Sequence, residues 1–170
     1  MTPAWNRMVV ASLALIGVFV STYLLLFKLG VLGTLVCGAG GGCDIVQSSS
    51  YAYVLGVPVA AWGLAGYVAI FGIAMAGTRP ELAGHRWIGT SLLGLTGGAF
   101  LVSMYLSAVS GLVIGAWCQW CLVSATLATL SFFFSTPELP RLLRARTHAP
   151  PTLTRGSEAT EAPKSEARRA

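Results

Sequence analysis

The chain has 170 residues, of which 55% are hydrophobic and only 10% charged, against about 25% charged in an ordinary soluble domain. With a mean hydropathy of +0.71, it is not built to face water on all sides. The net charge of +5 does not mark a nucleic-acid binder, because Lys and Arg sit in flanks and tail and form no stripe interleaved with aromatics.

Four apolar runs follow in order: Met8 to Phe27, Pro58 to Ala76, Trp87 to Val109 and Trp117 to Ser135. Each is near the roughly 20 residues that a helix needs to cross a hydrocarbon core, and none contains Asp, Glu, Lys or Arg. The predicted fold is an all-α integral membrane protein, a bundle of four transmembrane helices. Arg7 ahead of the first run also suits a secretory signal. The run continues through Tyr23 to Phe27 with no clear small-residue cleavage site, so it is read as an uncleaved span.

Ten of the eleven Lys and Arg residues fall on one side of such a bundle: Arg7, the short turn with Arg79 and Arg86, and the chain from Arg141 onward. Lys28 alone falls on the other. The positive-inside rule then puts both termini in the cytoplasm and the loops at 28–57 and 110–117 outside. Residues 1–136 are expected to form the membrane unit. Residues 137–170, rich in Pro, Ala, Glu and Arg without apolar period, are expected to be a disordered basic tail. Arg141, Arg144 and Arg146 could touch anionic lipid, but a solvated orientation signal is the expected role. His85 and His148 lie on the same cytoplasmic side and are given no catalytic part.

Glycines recur within the spans: Gly63, Gly66 and Gly72 in the second, Gly89, Gly94, Gly97 and Gly98 in the third. Small residues let membrane helices approach closely, and packing is the expected role ahead of making room for a flat ligand.

The chemistry is concentrated in four cysteines. Cys37 and Cys43 lie in the first outer loop, and Cys118 and Cys121 lie where the fourth span begins. None is mid-membrane, as cysteines serving only as small hydrophobes would often be. The outer side is where disulfides persist, so a purely structural pair of bridges is one reading. Against it, Cys118-Gln119-Trp120-Cys121 is a CxxC at a helix start, where the helix dipole favours a thiolate and a spacing of three puts both sulfurs on one face. A zinc site is disfavoured because five residues separate Cys37 from Cys43, more than the usual two to four. The intervening Gly-Ala-Gly-Gly-Gly should be mobile. Asp44 and Gln47 resemble a capping box, so a short interfacial helix is expected over roughly 45–52, with Pro58 in the first turn of the second span.

The ordered set of Cys37, the stretch Cys43-Asp44-Ile45-Val46-Gln47-Ser48-Ser49-Ser50-Tyr51, then Gly56-Val57-Pro58, and Cys118-Gln119-Trp120-Cys121-Leu122 closely resembles bacterial members of the vitamin K epoxide reductase family. The likeness covers about residues 8 to 135. It implies a thiol:quinone oxidoreductase of the bacterial plasma membrane that reoxidises a periplasmic DsbA-like protein. Cys37 would meet that partner, Cys43 would relay to Cys118, and Cys121 would face the quinone, menaquinone or ubiquinone. Ser49 matches the family serine near the quinone. No fused thioredoxin-like domain is seen, so a separate partner is expected. Ala125 stands where vertebrate members carry a tyrosine, which favours a plain quinone over vitamin K epoxide. The alternative is a non-enzymatic membrane protein with structural disulfides or a cysteine metal site. Trp62, Trp117 and Trp120 could line the quinone but equally suit an interfacial aromatic belt.

Overall fold

The computed structural model describes residues 3–38, 42–137 and 139 and is mostly helical. Its helices are α1 (Pro3–Lys28), α2 (Gly42–Ser48), α3 (Val59–Ala76), α4 (Arg86–Val109) and α5 (Gln119–Ser135). Between α2 and α3 lie a 3₁₀ turn, Ser50–Ala52, and a hairpin of β1 (Tyr53–Val54) and β2 (Val57–Pro58). The middle of the glycine run, residues 39–41, lies outside the described residues. So does the basic tail beyond Pro137, Leu139 excepted.

Each of the four apolar runs becomes a long helix. Three of them, α1, α3 and α4, are long and apolar enough to cross a membrane. The fourth, α5, has 17 residues and a rise of about 25 Å, and so falls short of the length expected of it. The four close into a ring in which α1 packs on α3 and α5, and α4 packs on the same two. Outside, Phe19, Leu101 and Phe133 are exposed although apolar, a surface that hydrocarbon solvates better than water. Thr22, Thr96, Thr129 and Ser135 donate their hydroxyls back to the carbonyl four residues earlier. That satisfies them within their own helices, as a dry surrounding requires.

One end of the bundle is tightly filled. Val10, Ala14, Ala74, Ile88, Leu92 and Ala128 are sealed from solvent there. Arg7 is buried at the same end, its Nη1 donating to the carbonyls of Gly77 at 2.6 Å and Ala83 at 3.2 Å. Expected as a simple topology signal, it also ties the start of α1 to the turn between α3 and α4.

The other end differs from the sequence reading in three places. The short helix starts at Gly42 and stops at Ser48, instead of running over 45–52. Asp44 therefore falls inside its first turn, and the Gln47 side chain turns into the protein rather than back to cap the start. Pro58 ends β2 and precedes α3, because a tight turn at Leu55 and Gly56 brings Pro58 opposite Tyr53. Both turn residues have positive φ, 54° and 77°, which is what a two-residue hairpin turn demands. Finally, the outer loop expected over 110–117 is shorter. The helix continues through Ser110–Ile114 as a π turn, stopped by Gly115 in the left-handed conformation.

Candidate redox site at the open end of the bundle

All four cysteines gather at the end opposite Arg7. Cys37 and Cys43 form a disulfide with their Cα atoms 6.3 Å apart, while Cys118 and Cys121 are free thiols. Cys43 is the second residue of α2 and is sealed, at 1% exposure, whereas Cys37 is only half-buried.

Cys118 caps α5. Its backbone is extended, and its Sγ accepts the N–H of Cys121 at 3.4 Å, in the place where Ser or Asp usually caps a helix. The cap buries Cys118 to 1% exposure and leaves Cys121 one turn further along, half-buried.

The disulfide segment is fastened over this helix start. The Val36 N–H donates to the Tyr23 hydroxyl at 3.1 Å, and the Val36 carbonyl accepts from Trp120 Nε1 at 2.9 Å. Gly38 N–H donates to Gln119 Oε1 at 3.1 Å. Both internal residues of the CxxC thus hold the strand that carries Cys37. On the far side of the glycine run, Gly42 lies so near the Trp117 backbone that a Cβ would stand 2.6 Å from its carbonyl oxygen, so only glycine fits. Gly38 and Gly42, the two described ends of the run expected to be mobile, are thus each held against the start of α5 or the residue before its cap.

Below the cysteines the bundle opens into a cavity of about 380 Å³ between α3, α4 and the start of α5. Its walls are mostly apolar, with a few polar groups, as small-molecule sites are. Cys121 and Ser124 face it from α5, Tyr67 from α3, and Gln47 and Ser49 from the segment after Cys43. Gly66, Gly94 and Gly98 line it too, and a Cβ on any of them would meet nothing within 4 Å. The packing expected of the glycines is therefore only half the story. Gly63 and Gly97 lie close to Ser21 and Phe132, but these three leave space.

Ser49 lines the cavity while donating its hydroxyl to the Val46 carbonyl at 2.7 Å, so its oxygen can only accept toward the cavity. Trp62 stands at the rim with its Nε1 on the Val54 carbonyl at 3.4 Å. Trp120 is used on the disulfide segment, and Trp117 shields Gly111. Ala125 is buried, and the phenol in the cavity comes instead from Tyr67, whose hydroxyl donates to the Ser124 carbonyl at 2.8 Å.

Gln47 and Lys28 were not read as site residues. Gln47 is 7% exposed, and its Nε2 lies 4.0 Å from Cys121 Sγ. Lys28 donates to the Gln47 backbone carbonyl and sits over the Tyr53 ring, 4.3 Å from its centroid. The available signal was Lys28 itself, the one basic residue between Arg7 and Arg79 in the sequence.

A helical membrane protein with a disulfide and a CxxC dithiol fastened together at one end is equipped for thiol–disulfide exchange. The model of the vitamin K epoxide reductase family matches residues 8–136, and the chain belongs to that family. Membership implies membrane thiol–disulfide oxidoreductase activity, a link to quinones and a thiol-redox partner protein.

Proposed function

We propose that this protein passes electrons from a secreted thioredoxin-like protein to a membrane quinone. The partner dithiol is oxidised to a disulfide as the Cys37–Cys43 bond is reduced. The Cys37/Cys43 dithiol then reduces a Cys118–Cys121 disulfide through a Cys43–Cys118 mixed disulfide. Last, the Cys118/Cys121 dithiol gives two electrons and two protons to the quinone, leaving a disulfide and a hydroquinone.

The observation that carries this reading is the differing surroundings of the sulfurs. Cys37 is the more exposed of its pair, Cys43 and Cys118 are sealed, and Cys121 lies in the wall of the apolar cavity. That gradient suits a partner at Cys37, a water-free relay in the middle and an apolar acceptor at Cys121. The open glycine wall formed by Gly66, Gly94 and Gly98 suits a planar ring, menaquinone or ubiquinone, with Ser49 as a hydroxyl near it.

In this reading residues 1–136 form the catalytic unit, with α5 as a fourth span completed by the residues before it. The basic end, with Arg7, Arg79 and Arg86, faces the cytoplasm of a bacterial cell together with the tail. The cysteines then face the oxidising side, where disulfides persist.

The test is turnover by the purified protein, given a reduced thioredoxin-like protein and either a short-chain ubiquinone or menadione. Wild type should reduce quinone, and Cys121→Ala should not. Equal behaviour of the two would end the proposal.

A further inference from the structure

Short helix α2 has seven residues, too few to be stable alone, so something must hold it where it is. Its start is held by the Cys37–Cys43 bond and by Gly42 against the Trp117 backbone. Its end is held by Lys28, which donates to the Gln47 carbonyl while resting on Tyr53. Val46 fills the core between these anchors. All of them fix the position of one inward-facing polar side chain, that of Gln47.

A buried amide normally has its hydrogen bonds satisfied by neighbours. Among the described residues, the Gln47 side chain has one hydrogen-bond partner, the sulfur of Cys121. Its other face opens on the cavity that Cys121 also lines. An amide nitrogen carries two N–H donors, so one can address the sulfur and the second a carbonyl oxygen held in the cavity.

The geometry points to Gln47 as a catalytic donor of the Cys121–acceptor step, one that follows the charge from sulfur to ring oxygen. This rests on the quinone reading above. As the Cys118/Cys121 dithiol is oxidised, two electrons leave sulfur and two protons end on the oxygens of the reduced acceptor. The Gln47 N–H groups stand beside the atom that loses charge and beside the space where charge arrives. In an apolar surrounding, fixed donors of this kind need no reorganisation during the step. Lys28 acts through Gln47 and is a positioning residue.

The experiment compares wild type with Gln47→Met, which keeps the length and removes both donors, and Gln47→Glu, which keeps the shape but places an acceptor at the sulfur. The full chain is kept reduced by excess dithiothreitol as electron donor and given menadione as probe, with the protein-free rate subtracted. The expected result is a fall in kcat of about tenfold for Gln47→Met, equivalent to about 1.4 kcal/mol, and at least as large a fall for Gln47→Glu. In both variants the Cys37–Cys43 bond should still form and be reduced by a thioredoxin-like dithiol at the wild-type rate. Wild-type kcat in Gln47→Met, with wild type active, overturns the inference and leaves the quinone reading standing. A loss accompanied by failure to form the Cys37–Cys43 bond marks a structural role and overturns it as well. A wild type that reduces no quinone removes both.

Discussion

Lys28 donates to the backbone carbonyl of Gln47, joining the last turn of α1 to the last turn of α2. Its ammonium also rests on the Tyr53 ring, so one side chain links α1, α2 and the hairpin. A hydrogen bond to a charged group is worth about 1.5–3 kcal/mol, and an exposed cation–π contact about 0.5–1 kcal/mol. Lys28→Met should therefore slow quinone reduction several-fold by loosening Gln47, while Lys28→Arg, which keeps the charge, should restore part of the rate. Steady-state kinetics of the two variants with one quinone would check this. Equal rates for Met and wild type would show that α2 needs no such clamp.

The relay makes a covalent prediction. In Cys37→Ala, Cys43 can attack Cys118 but no second thiol of its pair remains to resolve the bond. Oxidation of that variant should accumulate a Cys43–Cys118 disulfide, seen by non-reducing peptide mapping. Finding Cys43 predominantly free would count against the order of transfer.

The glycine wall can be titrated by size. A Cβ on Gly98 would meet nothing within 4 Å, so Gly98→Ala should fold normally, with up to about 1 kcal/mol gained in helix propensity. Gly98→Phe would fill part of the 380 Å³ cavity and should raise the quinone KM at least about tenfold. Exchange between the partner and Cys37–Cys43 should be unaltered. An unchanged KM in Gly98→Phe would place the acceptor elsewhere.

The sequence made the long helices legible because a run of about 20 uncharged apolar residues has few other uses. It also brought the four cysteines into view, since position at the ends of spans is written directly in residue order. It did not make Gln47 legible. Asp44 and Gln47 have the spacing of a capping box, and only the start of α2 at Gly42 shows that Gln47 faces inward. The cavity was hidden for a related reason: Gly63 and Gly98 look alike in the chain, yet one lies against Ser21 and the other against open space. The π turn at Ser110–Ile114 left no mark because it is built from the same apolar residues as the helix before it.

The hairpin offers a stability test away from the thiols. Leu55 is 89% exposed and adopts a φ of 54°, a region that costs a non-glycine side chain about 1–2 kcal/mol. Asn tolerates that region better than other side chains, so Leu55→Asn should raise the melting temperature in detergent without changing quinone turnover. A lower melting temperature would mean that the leucine makes a contact with lipid or detergent worth more than the strain.

At the packed end, Arg7 carries the last prediction. Its guanidinium spans two carbonyls, those of Gly77 and Ala83, which belong to the turn joining α3 to α4. Arg7→Met would leave at least these two acceptors without their donor in a site only 4% exposed, and a single lost hydrogen bond to a charge costs about 1.5–3 kcal/mol. Arg7→Lys keeps the charge but lacks the planar fork that reaches two acceptors at once, so it should recover only part of the loss. Thermal unfolding in detergent should therefore rank wild type above Lys and Lys above Met. Below the transition all three should reduce quinone at similar kcat, because the thiols lie at the opposite end of the bundle. If Arg7→Met melts with wild type, the residue serves orientation alone, and the side of the membrane from which Cys37 can be labelled would then be the property that changes.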